Sequence, residues 1–133
     1  MSYGLARMNS IRKPLTIGGP TFIHSPDPCP KGWDYDPYVS HEMGELAVTT
    51  GIWPLYEVEN GVLKLIGKTQ QIANGKIPRL PVRDYLLKRD RFAHFTNDDI
   101  DYFQNKVDEI WTKWLIPGVI PSSKEQEASH APN

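Results

Sequence analysis

Cysteine is all but absent from this 133-residue chain: Cys29 stands alone. No internal disulfide can form, and the usual reason to assign a chain to an oxidising compartment falls away. No apolar run approaches the ~18 residues needed to cross a bilayer, and Met1 to Arg7 holds no apolar stretch of secretory-signal length. The expected location is cytoplasmic, with no membrane contact. An excess of charge is missing too: fifteen Lys and Arg against sixteen Asp and Glu leave a net charge of −1, which removes the electrostatic case for binding nucleic acid. His-x-x-x-His and Cys-x-x-Cys pairs are absent, so the four histidines, at 24, 41, 94 and 130, do not read as a zinc site. Gly18-Gly19-Pro20 lacks the lysine and hydroxyl residue of a phosphate loop, and no serine elbow is present.

What the chain does have is turn-forming residues, twelve prolines and ten glycines, which imply short elements and many bends. Residues 1–121 form one domain-sized segment, while 122–133, "SSKEQEASHAPN", is polar and is expected to be disordered. The basic cluster of Arg7, Arg12 and Lys13 reads as a solvated face. Thr21-Phe22-Ile23-His24, β-branched and aromatic between prolines, predicts a short strand. Met43, Leu46, Ala47 and Thr50 recur at helical spacing, with Asp36 before Pro37, or Ser40, as cap and Gly51 as stop. Two apolar-alternating runs, 55–59 and 62–66, flank Asn60-Gly61, the dipeptide best suited to a type I′ hairpin turn. Residues 67–79 read as a polar connector. A helix is expected from Pro81 to about Lys88, with Val82, Tyr85 and Leu86 inward. A final helix should be capped by Thr96, with Asp98 and Asp99 at its positive end. Its apolar stripe comprises Ile100, Phe103, Val107, Ile110, Trp111 and Trp114 and reaches Pro117. We read its tryptophans as packing anchors.

Candidates for chemistry converge on "HSPDPCPKGWDYDP", residues 24–37. His24 could orient a ligand, though a hydrogen-bonded structural role is commoner; His41 is expected at the surface and His94 in a turn. Asp27, Asp34 and Asp36 are better explained as turn and cap formers than as a paired acid and base. Cys29 is held between Pro28 and Pro30, which restrict the backbone, and Gly32 would allow close backbone approach. As a nucleophile it would need His24 or Lys31 to stabilise a thiolate. As a cluster ligand it would receive hydrogen bonds from loop amides, but it is one thiol where a cluster wants four. From chemistry alone an inert structural thiol ranks first and a shared ligand second.

The order of residues adds to this. Gly19-Pro20-Thr21-Phe22-Ile23-His24 is followed by Pro28-Cys29-Pro30-Lys31-Gly32-Trp33, by Asp36-Pro37 and by Glu45-Leu46-Ala47-Val48. Thr50-Gly51-Ile52-Trp53-Pro54-Leu55-Tyr56-Glu57 and Glu59-Asn60-Gly61 come next, and Pro81-Val82-Arg83-Asp84-Tyr85-Leu86 with Arg91-Phe92-Ala93-His94-Phe95-Thr96 completes the pattern. From about Gly19 to Trp114 the chain resembles the C-terminal part of the thiamine-diphosphate-binding β subunit of 2-oxoacid:ferredoxin oxidoreductases, of the pyruvate and branched-chain type.

The resemblance implies an α/β fold: the C-terminal portion of a thiamine-diphosphate-binding domain, with a short parallel strand, a helix, a β-hairpin and C-terminal helices. It implies a subunit or fragment of an enzyme that oxidatively decarboxylates pyruvate or a related 2-oxoacid to acyl-CoA and CO2. The implied cofactors are thiamine diphosphate with Mg2+ and a proximal 4Fe-4S cluster, one of whose four cysteines maps onto Cys29. Implied partners are the other subunits, with ferredoxin, coenzyme A and the 2-oxoacid reached through the complex. The chain departs from the family in having no Gly-Asp-Gly magnesium motif and no further cysteine, so alone it completes neither cofactor site and is expected to be inactive. The alternative is a non-catalytic assembly module derived from the same fold.

Overall fold

The computed structural model describes residues 11–118, so the tail expected from residue 122, and Arg7 of the basic cluster, lie outside the described residues. Five α-helices and one hairpin follow a 3-10 turn at Pro14–Thr16: α1 (Pro30–Trp33), α2 (Ser40–Thr49), β1 (Tyr56–Glu59), β2 (Val62–Leu65), α3 (Gly67–Ala73), α4 (Val82–Leu86) and α5 (Asn97–Ile110). The architecture is mixed, helical with a two-stranded antiparallel sheet, and fits part of an α/β domain.

Three of these elements form as the side chains dictate. The Asp36 carboxylate accepts the Tyr38 N–H at 3.0 Å and caps a 3-10 turn, Pro37–Val39, rather than α2, which begins at Ser40 behind Val39 with no side-chain cap. In the hairpin, Asn60 and Gly61 take positive φ angles of 51° and 79°, and the register pairs Tyr56 with Leu65 and Val58 with Leu63. At the start of α5, the Thr96 hydroxyl accepts the Asp99 N–H while the Asp99 carboxylate accepts the Thr96 N–H, a reciprocal capping box.

Three expectations are corrected. Residues 21–24 form no strand: Phe22 is 87% exposed, and no described strand lies alongside to supply ladder hydrogen bonds. The expected parallel strand is therefore missing from the described fold. The polar connector after the hairpin contains α3, which escapes detection by periodicity because its one fully buried residue is polar and only Ile72 and Ala73 add apolar contact with the core. Thr69 is fully buried and its hydroxyl accepts the Leu55 N–H at 2.8 Å, joining α3 to the residue just before β1. Pro81 caps α4 rather than opening it, and the helix ends at Leu86.

The core lies where α2, α4 and α5 meet. Met43, Leu46 and Ala47 come from α2, Val82, Tyr85 and Leu86 from α4, and Ile100 and Val107 from α5. Met43 and Val82 have no exposed surface, and each contributes about 1.5–3 kcal/mol by leaving water. Beyond Ile110 the last helix widens into a π turn, Trp111–Leu115. Ile100, Val107, Trp111 and Leu115 thereby face inward, Phe103 and Ile110 are left exposed and Trp114 is half-buried. The stripe read from sequence was right for Ile100, Val107 and Trp111 and missed Leu115.

Trp111 fixes this end of the core. Its indole N–H donates to the Gly51 carbonyl at 3.0 Å in a buried site, and the Arg79 guanidinium stacks over its ring at 5.1 Å while pairing with Asp108. Gly51 has a φ of 82°, and a Cβ there would meet Trp111 Nε1 at 2.5 Å. Both the backbone angle and the approach of the ring require glycine. Gly51→Ala is expected to destabilise the fold by about 2–4 kcal/mol through strain and overpacking together, a loss measurable as a lower urea midpoint at unchanged m-value.

Candidate functional site

Cys29 sits at the head of α1. Its amide donates to the Asp27 carbonyl at 2.8 Å, its carbonyl accepts the Trp33 N–H at 2.8 Å, and Pro30 fills the first helical position, where no amide is needed. The thiol is exposed, and its Sγ accepts the Gly32 N–H at 3.4 Å. Asp34 ends the single turn in the left-handed conformation, φ 60°. Sulfur therefore takes the N-cap role that oxygen normally plays, and the turn leaves its other side open to solvent.

The loop is braced from beneath. The Tyr35 hydroxyl, on a buried ring, donates to the Pro28 carbonyl at 2.6 Å. From the segment after α4, Arg89 Nε donates to the Trp33 carbonyl at 2.7 Å, the Asp90 N–H to the Asp34 carbonyl at 2.9 Å, and Arg91 Nη2 to the Gly32 carbonyl at 3.1 Å. These three donors take up carbonyls at the end of α1 that the helix itself leaves without partners. The Arg89 guanidinium also lies over Phe92, Tyr85 and Trp33, at 4.7, 5.4 and 5.6 Å from the ring centres. Burial pushes the Tyr85 phenol above its ordinary value of 10.0, with Arg89 pulling it back.

The other candidates disperse. The His24 ring packs edge-on against Trp53 at 4.7 Å, a structural role. His41 and His94 are exposed, and the His94 ring meets Phe95 at 5.3 Å; His130 lies outside the described residues. Asp36 is a cap, Asp34 a helix terminator, and Asp27 offers its backbone carbonyl to Cys29. Among the described residues no three His, Cys, Asp or Glu side chains gather to hold a metal ion. The glycine after the cysteine is also less constrained than its position suggested: a Cβ on Gly32 would touch only Cys29, at an ordinary 3.6 Å. Arg89 and Arg91 carried no local signal in the sequence, because their acceptors lie 56 and 59 residues upstream. A shallow groove lined by Ile72, Arg79, Asp108, Trp111 and Ile116 shares no residue with the cysteine loop.

The loop thus holds one exposed thiol, braced from beneath and accepting the Gly32 amide at its sulfur. No family model matches the chain. Its sequence is 42% identical over 109 residues to pyruvate synthase subunit PorB of Methanocaldococcus jannaschii, covering 82% of this chain and 34% of that protein. It is 41% identical over 110 residues to PorB of Methanosarcina barkeri, and 35% identical over 106 residues to ketoisovalerate oxidoreductase subunit VorB of Pyrococcus furiosus. Those matches cover 82% and 80% of this chain and 34% and 32% of the relatives. Over about four-fifths of its length the chain is homologous to the β subunits of 2-oxoacid:ferredoxin oxidoreductases. It spans about a third of the length of these relatives. No helix among the described residues is long and apolar enough to cross a membrane.

Two outcomes test the site's physics. Because the folded state holds the Tyr85 proton more tightly than the unfolded chain, whose phenol titrates near 10.0, stability should be full below that pH and decline as pH rises through it. Tyr85→Phe should flatten this alkaline limb in urea titrations at pH 9 to 11. Gly32→Ala should leave stability unchanged or raise it by up to about 1 kcal/mol, the helix-propensity difference, as read by thermal melting.

Proposed function

We propose that this chain is a subunit, or part of one, of a 2-oxoacid:ferredoxin oxidoreductase, supplying one thiolate ligand from Cys29 to the proximal 4Fe-4S cluster. The observation that carries the proposal is the Cys29 loop itself: an exposed sulfur, held by a short turn, with the Gly32 amide donating to it. Hydrogen bonds of this kind stabilise added negative charge on a cluster thiolate and so tune its potential. The homology to PorB and VorB subunits supports the same assignment. It extends to the reaction, oxidative decarboxylation of a 2-oxoacid such as pyruvate to acyl-CoA and CO2, and to thiamine diphosphate with Mg2+ as the cofactor.

The donor set fits one ligand and no more. With a single cysteine in the chain, the remaining thiolates and the diphosphate motif belong to polypeptide outside it, and the chain by itself is inactive. When bound, the cluster would supply one-electron transfer toward ferredoxin. The residues here do the holding: Cys29 offers the thiolate, Gly32 donates to it, and Tyr35 fixes the Pro28 carbonyl on the approach to the cysteine. The partners are the other subunits, and through them ferredoxin, coenzyme A and the 2-oxoacid, in a complex placed in the cytoplasm.

The test is purification of the native complex through a tag on this chain, with Cys29→Ser compared to wild type. The expected outcome is iron and broad visible absorption in the wild-type complex, with iron lost in the variant while the subunits still co-purify. A variant complex that keeps a full iron complement and its activity would overturn the ligand assignment in favour of a non-catalytic assembly module.

A further inference from the structure

We infer that Arg89 and Arg91, joined by the Asp90 amide, are positioning residues that keep the Cys29 sulfur seated on the Gly32 N–H. The inference rests on the proposed ligand role of Cys29 for its purpose and on geometry for its substance. α1 is a single turn of four residues, too short to hold itself together in water, since helix nucleation is unfavourable and one turn closes very few hydrogen bonds. Its sulfur contact at 3.4 Å is a weak bond that survives only while the turn is held closed.

The holding force comes from 56 to 59 residues away. Arg89 and Arg91 donate to the consecutive carbonyls of Trp33 and Gly32, and the Asp90 amide takes the next, that of Asp34. Three donors on three consecutive residues therefore meet three consecutive acceptors. The two segments are thus joined at three points, one of them backbone to backbone. Arg89 is itself immobilised: it is half-buried, lies over three aromatic rings and donates to the Tyr85 hydroxyl at 3.3 Å. Tyr85 belongs to the α4 core. The path from core to sulfur is thus continuous: Tyr85, Arg89, the Trp33 carbonyl, the closed turn, the Gly32 amide, Sγ. Lysine cannot replace Arg89 here, because it lacks the planar fork that lets one group stack on rings and donate in two directions.

Arg89→Lys and Arg91→Gln test this, with Lys31→Gln removing a charge from the same turn without removing a brace. In the full-length chain, hydrogen exchange followed by NMR should show the Gly32 amide exchanging roughly tenfold faster in Arg89→Lys, less so in Arg91→Gln, and unchanged in Lys31→Gln. In the tagged complex, redox titration should move the cluster midpoint of Arg89→Lys to a more negative value. Its charge is retained, so a shift there reports the lost N–H···S contact rather than the local field. Wild-type Gly32 exchange and midpoint in Arg89→Lys would overturn the inference. Should that variant not fold, the Gly32 exchange rate of Arg91→Gln decides, since Arg91 is exposed and its carbonyl contact is the bond removed. Faster Gly32 exchange in a complex whose iron is indifferent to Cys29→Ser would uphold the clamp and sink the cluster-ligand role separately.

Discussion

The contact between the Trp111 indole and Gly51 governs how the rest of the chain can be arranged. A buried N–H must find an acceptor, and the Gly51 carbonyl at 3.0 Å provides it. The indole reaches that carbonyl because residue 51 has no Cβ and turns through a positive φ. That single requirement fixes the end of α2 against the end of the last helix, sixty residues apart in sequence. It also sets which faces of α5 look inward. The π turn beginning at Trp111 brings that ring and Leu115 onto the core side together, and Arg79 then closes over the outer face of the ring.

The cysteine loop depends on this core at one remove. α4 buries Val82, Tyr85 and Leu86 between α2 and α5, and the chain leaving α4 carries Arg89 and Arg91 to the end of α1. A rigid helix pair thereby supports a turn that has no cohesion of its own. This is the arrangement expected where a functional side chain must be exposed and still well positioned, because exposure removes packing as a means of control. Hydrogen bonds to backbone carbonyls replace it.

Much of the fold was legible locally. Asn60-Gly61 specified the hairpin because few other dipeptides adopt two successive positive φ angles, and Thr96 with Asp99 specified the start of α5 because both capping partners lie within one turn. The inward residues of α4 followed from helical spacing. Thr21 to His24 misled because β propensity measures fitness for a paired, packed surface, and no other described strand lies beside this segment. α3 was missed for the complementary reason: its buried residue, Thr69, is polar and is satisfied by a backbone amide fourteen residues away. In α5, Ile110 looked like core by spacing, but the widened turn after it turned the following residues inward instead.

By itself, then, the sequence determined the elements whose causes lie within a few residues: the caps at Asp36 and Thr96, the hairpin turn and the proline-flanked cysteine. It also excluded a self-contained four-thiolate cluster, since one cysteine cannot be multiplied by folding. Tertiary structure alone decided how that cysteine is held. The donors that brace α1 come from residues 89–91, and no periodicity relates a guanidinium to a carbonyl more than fifty positions earlier. Such pairings arise only when the core has docked α4 beside the loop, because hydrogen-bond geometry is set by distances in space and not by separation along the chain.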